Sequence, residues 1–173
     1  MTCVYKDIAS PVGVLRLVAR DGKLAAILWE NDRPGRVRLP ALTASPDEPV
    51  LCETERQLGE YFAGKRRTFS IPLDFDGTDF QRRVRQALLE IPYGETRSYG
   101  QIAASLGDPK SVRAVGAANG RNPVSIIAPC HRVIGADGDL TGFAGGLDRK
   151  LILLRLEGRE AVRTQPDLFD GIG

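Results

Sequence analysis

Among the 173 residues there is one histidine, and it follows a cysteine directly, in Pro129-Cys130-His131-Arg132. A thiol attacks as its thiolate; neighbouring cations favour that form, and an imidazole can take the proton. Pro129 bends the chain where the apolar run Ile126-Ile127-Ala128 ends, so Cys130 and His131 can sit around one turn. In a straight strand they would face opposite ways. Cys3 and Cys52 lack such neighbours and read as small core hydrophobes. Downstream come Gly135, Gly138, Gly142, Gly145 and Gly146, with Phe143 among them. Such a loop lets backbone N–H and C=O groups close around a flat ligand. Glu157, near the end of a helix expected from Leu147, could face the site, and a buried Cys–His–Glu relay would then follow the logic of a protease triad. The relay alone does not separate hydrolysis from group transfer.

The first third of the chain should supply strands. Val12, Val14, Leu15, Leu17 and Val18 form one apolar run, Asp21-Gly22 is a hairpin turn, and Leu24 to Trp29 return. Residues 31–49 hold four prolines without periodicity and read as a loop. Val50 to Phe62 has helical spacing, with Leu51, Leu58, Tyr61 and Phe62 as the buried stripe and Gly64 as the stop. Ile71, Leu73 and Phe75 alternate as in a strand, and Ile126–Ala128 should be a buried one.

A second unit begins near Thr78. Phe80, Val84, Ala87, Leu88 and Ile91 predict a helix ended by Pro92-Tyr93-Gly94. Ser98 and Gln101 have capping-box spacing before Ile102, Ala103 and Leu106, and Gly107 ends that helix. Asp108-Pro109 then reads as an N-cap with proline at the first helical position, giving a helix-turn-helix. On the second helix Val112, Val115 and Asn119 share one face; Arg113, Gly116, Ala117 and Gly120 share the next. Reading the major groove takes polar side chains that reach base edges, and this face has almost none. A smooth face with one long cation suits close approach to DNA and insertion of that side chain, or close packing on another helix.

Composition bounds the rest. Hydrophobic residues at 42% and charged residues at 27% are ordinary for a globular protein. No apolar run approaches the roughly 18 residues of a membrane helix. The start, MTCVYKDIAS, lacks the pattern of a signal peptide, so the cytoplasm is the expected location. Three scattered cysteines argue against a disulfide framework, and the absence of Cys-x-x-Cys or His-x-x-His pairs argues against structural zinc. A net charge of +2 excludes a histone-like binder. Residues 1–77 carry 11 basic and 11 acidic groups, and 78–160 carry 12 and 9, so the excess favours an anionic partner for the second part. The expected organisation is an α/β (α+β) protein: a scaffold over 1–77, a DNA-binding and acceptor domain over 78–160, and a flexible tail over 161–173.

From Thr78 to Gly158 the chain resembles the O6-alkylguanine-DNA alkyltransferases, also called methylated-DNA–protein-cysteine methyltransferases. The segments IPYGETRSYGQIA, RAVGAANGRNP, IIAPCHRVIG and TGFAGGL carry the likeness, in that order and spacing. The first 75 residues resemble the family's variable N-terminal domain only weakly. The resemblance implies a ribonuclease-H-like first domain and a winged-helix-like second one. It implies a suicidal repair protein with no metal or organic cofactor, which binds double-stranded DNA from the minor groove and flips the damaged guanine. The alkyl group then moves from O6 to Cys130, and O4-alkylthymine is a second substrate. His131 takes the thiol proton through a water, Glu157 orients His131, and Asn122 ties the hinge to the active-site loop. Arg113 enters the base stack, with Ala114, Gly116 and Ala117 against the DNA, and Tyr99 crowds the phosphate and touches the guanine edge. Ser125, Val133, Phe143, Ala144 and Gly145 surround the base; the carbonyls of Cys130 and Val133 accept from its amine and the Ala144 N–H donates to O6.

Three positions depart from what is common in the family. Phe143 stands where tyrosine is common, Ala144 where some members have serine, and Ser125 where a proline helps some members hold bulky guanine analogues. Weak reaction with benzylguanine is therefore expected. A monomer is expected, and cooperativity on DNA stays open. Protein would gather at the nucleoid during repair. Gln165-Pro166-Asp167-Leu168-Phe169 looks like a bacterial sliding-clamp binding peptide, or is simply a disordered tail. Three other readings fit the residues less well. Alkyltransferase-like lesion binders lack the cysteine present here. A helix-turn-helix regulator needs base-reading side chains. A cysteine hydrolase has no use for Arg113.

Overall fold

The computed structural model describes residues 2–74, 76–140, 142–158 and 163–164. It divides into two compact units, Met1–Gly77 with Pro123–Ile127, and Thr78–Asn122 with Ala128–Gly173.

The first unit is built on a four-stranded sheet of β1 (Cys3–Ile8), β2 (Leu15–Arg20), β3 (Lys23–Trp29) and β4 (Leu42–Ala44), in the order β3-β2-β1-β4. Three strands are antiparallel neighbours, and β4 runs parallel to β1. Asp21 and Gly22 both have positive φ, 52° and 76°, as the tight turn between β2 and β3 requires. The helix α1 (Pro49–Phe62) packs on β2 and β3. Its N-terminus is capped by Glu48, whose carboxylate accepts from the Leu51 N–H at 3.0 Å.

Several expectations change here. The strand β1 carries no apolar signature of its own, because Tyr5, Lys6 and Asp7 break the pattern. The loop expected over 31–49 contains β4, whose three residues pair with β1 and need little apolar character of their own. Val12 and Val14 precede β2, in and just after a turn that Ser10 closes onto Gly13. Phe62 is only half-buried; Val50, Thr54 and Gln57 join Leu51, Leu58 and Tyr61 on the buried side of α1. Of Ile71 and Leu73, only Leu73 forms a β-bridge, to Leu24; Phe75 lies outside the described residues. The run Ile126–Ala128 is buried but is a turn, not a strand; Ile126 has φ +76°. The apolar run signalled burial, and burial does not dictate backbone conformation.

In the second unit α2 (Asp79–Leu89), β5 (Arg97–Ser98), α3 (Tyr99–Ser105) and α4 (Val112–Gly120) lead to a 3-10 turn at Cys130–Arg132, then β6 (Val133–Ile134), β7 (Asp139–Leu140), α5 (Leu147–Leu156) and β8 (Arg163–Thr164). Capping boxes open α2 (Thr78 with Gln81) and α3 (Ser98 with Gln101). Asp108 is not an N-cap and Pro109 is not helical: α4 starts at Val112 after Ser111, and Asp108–Ser111 is a turn. Once Gly107 takes φ +81° and the Asp108 N–H bonds back to Ala103, the chain still has to reverse before a new helix can begin. The core joins Val84, Leu88, Ile91, Ile102, Ala103, Val115, Ala118 and Val133 to Cys130 itself, with Tyr99 and Phe143 packed against it. Among the described residues no helix is long and apolar enough to cross a membrane.

Candidate active site

Cys130 opens the 3-10 turn and is 2% exposed, with His131 fully buried beside it. The His131 Nε2 lies 2.8 Å from Glu157 Oε2. A carboxylate only accepts, so Nε2 carries the hydrogen and Nδ1 is left with its lone pair. Nδ1 is buried and, among the described residues, meets no hydrogen-bond partner. Burial pulls the His131 pKa below its ordinary 6.5 against the pull of Glu157, so the imidazole is neutral. A neutral ring with a free lone pair is the state a general base needs.

The Glu157 carboxylate is also gripped by Arg132, Nε to Oε1 at 2.7 Å and Nη2 to Oε2 at 3.0 Å. Burial alone would raise the Glu157 pKa; the bonds from His131 and Arg132 overcome it and hold the group far below the usual range. Arg132 Nη1 donates to the Ile91 carbonyl at 2.7 Å, and its guanidinium lies 5.7 Å from the Tyr93 ring centroid. Tyr93 in turn donates to the Leu156 carbonyl at 3.2 Å. His131 and Arg132 therefore do not act as cations on the thiol, as their adjacency suggested: one is neutral and the other is committed to Glu157.

A further buried cation, Lys150 on α5, feels the field of Cys130. Its side chain is fully buried, with Nζ donating to the Val133 carbonyl at 2.6 Å. Burial lowers its pKa to about 8, while the field of Cys130 acts in the opposite sense. Sequence reasoning missed this lysine. Its signal was its place in the buried stripe with Leu151 and Leu154, where a lysine needs a polar partner.

The other expected residues fall around this centre. Asn122 Nδ2 donates to the Ala128 carbonyl at 2.8 Å. The Cys130 carbonyl accepts the Val133 N–H and, at a long 3.5 Å, Asn119 Nδ2. Phe143, Ala144 and Gly145 form a turn closed by the Gly146 N–H onto the Phe143 carbonyl at 3.0 Å. Tyr99 starts α3 beside Gly116, where a Cβ would stand 3.9 Å from its ring. Arg113, Ala114 and Ala117 are exposed on α4, while Val115, Ala118 and Asn119 are buried. Ser125 belongs to the first unit, fully buried, and accepts from the Trp29 indole at 3.2 Å. Among the described residues no group of His, Cys, Asp and Glu could hold a metal ion.

Comparison with known proteins bears on the same residues. Positions 79–159 match the family model for the 6-O-methylguanine DNA methyltransferase DNA binding domain. Positions 3–75 match the model for the ribonuclease-like domain of the same proteins. The methylated-DNA–protein-cysteine methyltransferase of Mycolicibacterium paratuberculosis is 50% identical over 96% of this chain and 98% of its own. The chain belongs to the methylated-DNA–protein-cysteine methyltransferase family. The constitutive methylated-DNA–protein-cysteine methyltransferase of Bacillus subtilis is 46% identical over 88% of this chain and 94% of its own. The fold agrees with the family: Mycobacterium tuberculosis OGT, solved in complex with DNA, superposes with a TM-score of 0.83 at 48% identity, over 90% of this chain and 93% of the other. The O6-methylguanine methyltransferase structure from the same organism gives 0.81 at 47% identity, over 98% and 100%. Within this methyltransferase family frame, the whole Cys130–His131–Arg132–Glu157 cluster lies inside the DNA-binding-domain match.

Proposed function

We propose that this protein repairs duplex DNA by moving the alkyl group from guanine O6 to the Cys130 sulfur, once per molecule. The observation that carries this is the buried, neutral His131, with its proton fixed on Nε2 by Glu157 and its Nδ1 lone pair left for the thiol. His131 takes the Cys130 proton through a bridging water, and Glu157 stabilises the imidazolium that forms. The thiolate attacks the alkyl carbon in line; an S–C bond forms and the C–O6 bond breaks. The electron pair leaves with the guanine, which takes up a proton from water as the imidazolium returns one to solvent, and the Ala144 N–H stabilises the oxygen as it leaves. A thioether has no easy exit, so turnover stops.

The base must leave the stack to reach a buried sulfur. The exposed face of α4, with Arg113 beside Ala114 and Ala117, supports approach through the minor groove, Arg113 filling the space of the flipped base and Tyr99 crowding the phosphate. The Val133 carbonyl keeps one lone pair for the guanine amine. At the Cys130 carbonyl the amine replaces the long Asn119 contact. Phosphate contacts should make DNA affinity salt-dependent and sequence-independent. The working location is the cytoplasm, at the nucleoid.

Intact-mass measurement and peptide mapping after mixing with duplex containing O6-methylguanine test the proposal. The expected result is a single added methyl on the peptide holding Cys130, capped at one per protein. Tight lesion binding without an adduct would make this a lesion-binding protein and Cys130 a structural thiol. The tail peptide Gln165–Phe169 lies outside the described residues; its sequence supports clamp binding through Leu168 and Phe169. Clamp affinity unchanged by Leu168→Ala with Phe169→Ala would remove that part.

A further inference from the structure

Between α4 and Cys130 the chain leaves the second unit for five residues, Pro123–Ile127, which group with the first. The outer edge of β3 receives them: the Ile27 N–H donates to the Pro123 carbonyl at 2.8 Å, and Ile27 and Val124 form a β-bridge. One turn further along, Trp29 Nε1 donates to Ser125 Oγ at 3.2 Å, with both residues buried. A buried indole N–H needs an acceptor, and a hydroxyl on a buried turn is free to rotate to meet it. The next residue, Ile126, is β-branched and sits at φ +76°, a conformation that persists only where the surroundings impose it.

The neck of this excursion leads straight to the nucleophile. The Ala128 carbonyl accepts both Asn122 Nδ2 and the Cys130 N–H, each at 2.8 Å. A shift at Ser125 therefore reaches, through Ile126 and Ile127, the carbonyl that holds the backbone of Cys130. Transfer in line is sensitive to displacements of about an ångström at the attacking atom.

We propose that Trp29 is a positioning residue for alkyl transfer: through its hydrogen bond to Ser125 it holds the left-handed turn at Ile126 and thereby the placement of Cys130. The inference rests on Cys130 being the alkyl acceptor. The pair acts on the chemical step, not on DNA affinity, because neither side chain lies on α4.

Single-turnover methyl transfer at saturating duplex, affinity for unmodified duplex, and thermal unfolding are to be measured for W29F, S125A and the double variant. S125A keeps the tryptophan and removes only its acceptor, so it covers the case in which W29F does not fold. Both single variants should transfer about tenfold more slowly at temperatures well below their unfolding. The double should be no slower than the slower single, and duplex affinity should stay within about twofold. Wild-type rates in the folded variants would overturn the proposal. So would a slowing matched by an equal loss of duplex affinity, or single effects that multiply in the double. Failure of the wild-type protein to methylate at Cys130 would instead sink the reading of function.

Discussion

Arg132 binds Glu157 through two parallel hydrogen bonds, 2.7 and 3.0 Å, in a site where both side chains are buried. The hydrogen bonds from the imidazole and the guanidinium together keep this carboxylate ionised, and the charge of Arg132 adds to burial in keeping His131 neutral while it stays bonded to Glu157. Removing the arginine would leave a buried anion with one neutral partner. Arg132→Met should destabilise the protein by about 3–5 kcal/mol, measured by urea unfolding. Transfer should slow as well, since His131 would then hold a proton to satisfy Glu157. Arg132→Lys, with charge but no fork, should fall between the two proteins.

Acid should unfold this protein in two stages with the same sign. The His131 pKa is lowered from 6.5 on folding, so below pH 6.5 the unfolded chain takes up a proton that the native state refuses. The Glu157 pKa is depressed from 4.5, so its stabilisation is complete above that value and is lost as pH falls through the folded one. Unfolding free energy should therefore decline from pH 6.5 downward and decline again below 4.5. His131→Gln should remove the first stage only. A curve for that variant parallel to wild type between pH 6.5 and 4.5 would refute the assignment.

Lys150 adds an alkaline limb of the same sign. Its pKa falls from 10.5 to about 8 on burial, so between these values the unfolded chain binds more protons and native stability rises with pH. Lys150→Met lacks this contribution. The stability of the variant relative to wild type should thus fall by up to about 3 kcal/mol from pH 8 to 10.5. The difference cancels the constant cost of leaving the Val133 carbonyl without its donor.

Gly94 is constrained twice, by φ +82° and by space, since a Cβ there would stand 3.2 Å from the Glu157 carbonyl. Gly94→Ala should cost about 1–2 kcal/mol for the backbone conformation alone. Because the collision falls on Glu157, transfer should slow beyond what the loss of stability explains. A variant that is destabilised but transfers at the wild-type rate would show that the loop and the relay are independent.

Local chemistry and local structure were legible in the residues alone. Cys130 and His131 are neighbours, so their proximity needed no fold. Asp21-Gly22, Ser98 with Gln101, and the small residues of α4 act within a few residues of themselves, through turn geometry, capping and side-chain size, and were legible for that reason. Glu157 could be named as a relay member because helical spacing and resemblance pointed to it. Interactions between distant segments were not legible. Twenty-five residues separate Arg132 from Glu157, and nothing in the spacing tells whether a cation beside a cysteine faces the thiol or a remote carboxylate. Lys150 and the Val133 carbonyl meet only because α5 packs beside the 3-10 turn. The run Ile126–Ala128 reads in one dimension as a buried strand, since hydrophobicity records that a segment is covered but not by what. Ser125 meets Trp29 of β3 across 96 residues, and Ile126 beside it takes a left-handed turn that no local pattern in the apolar run announces.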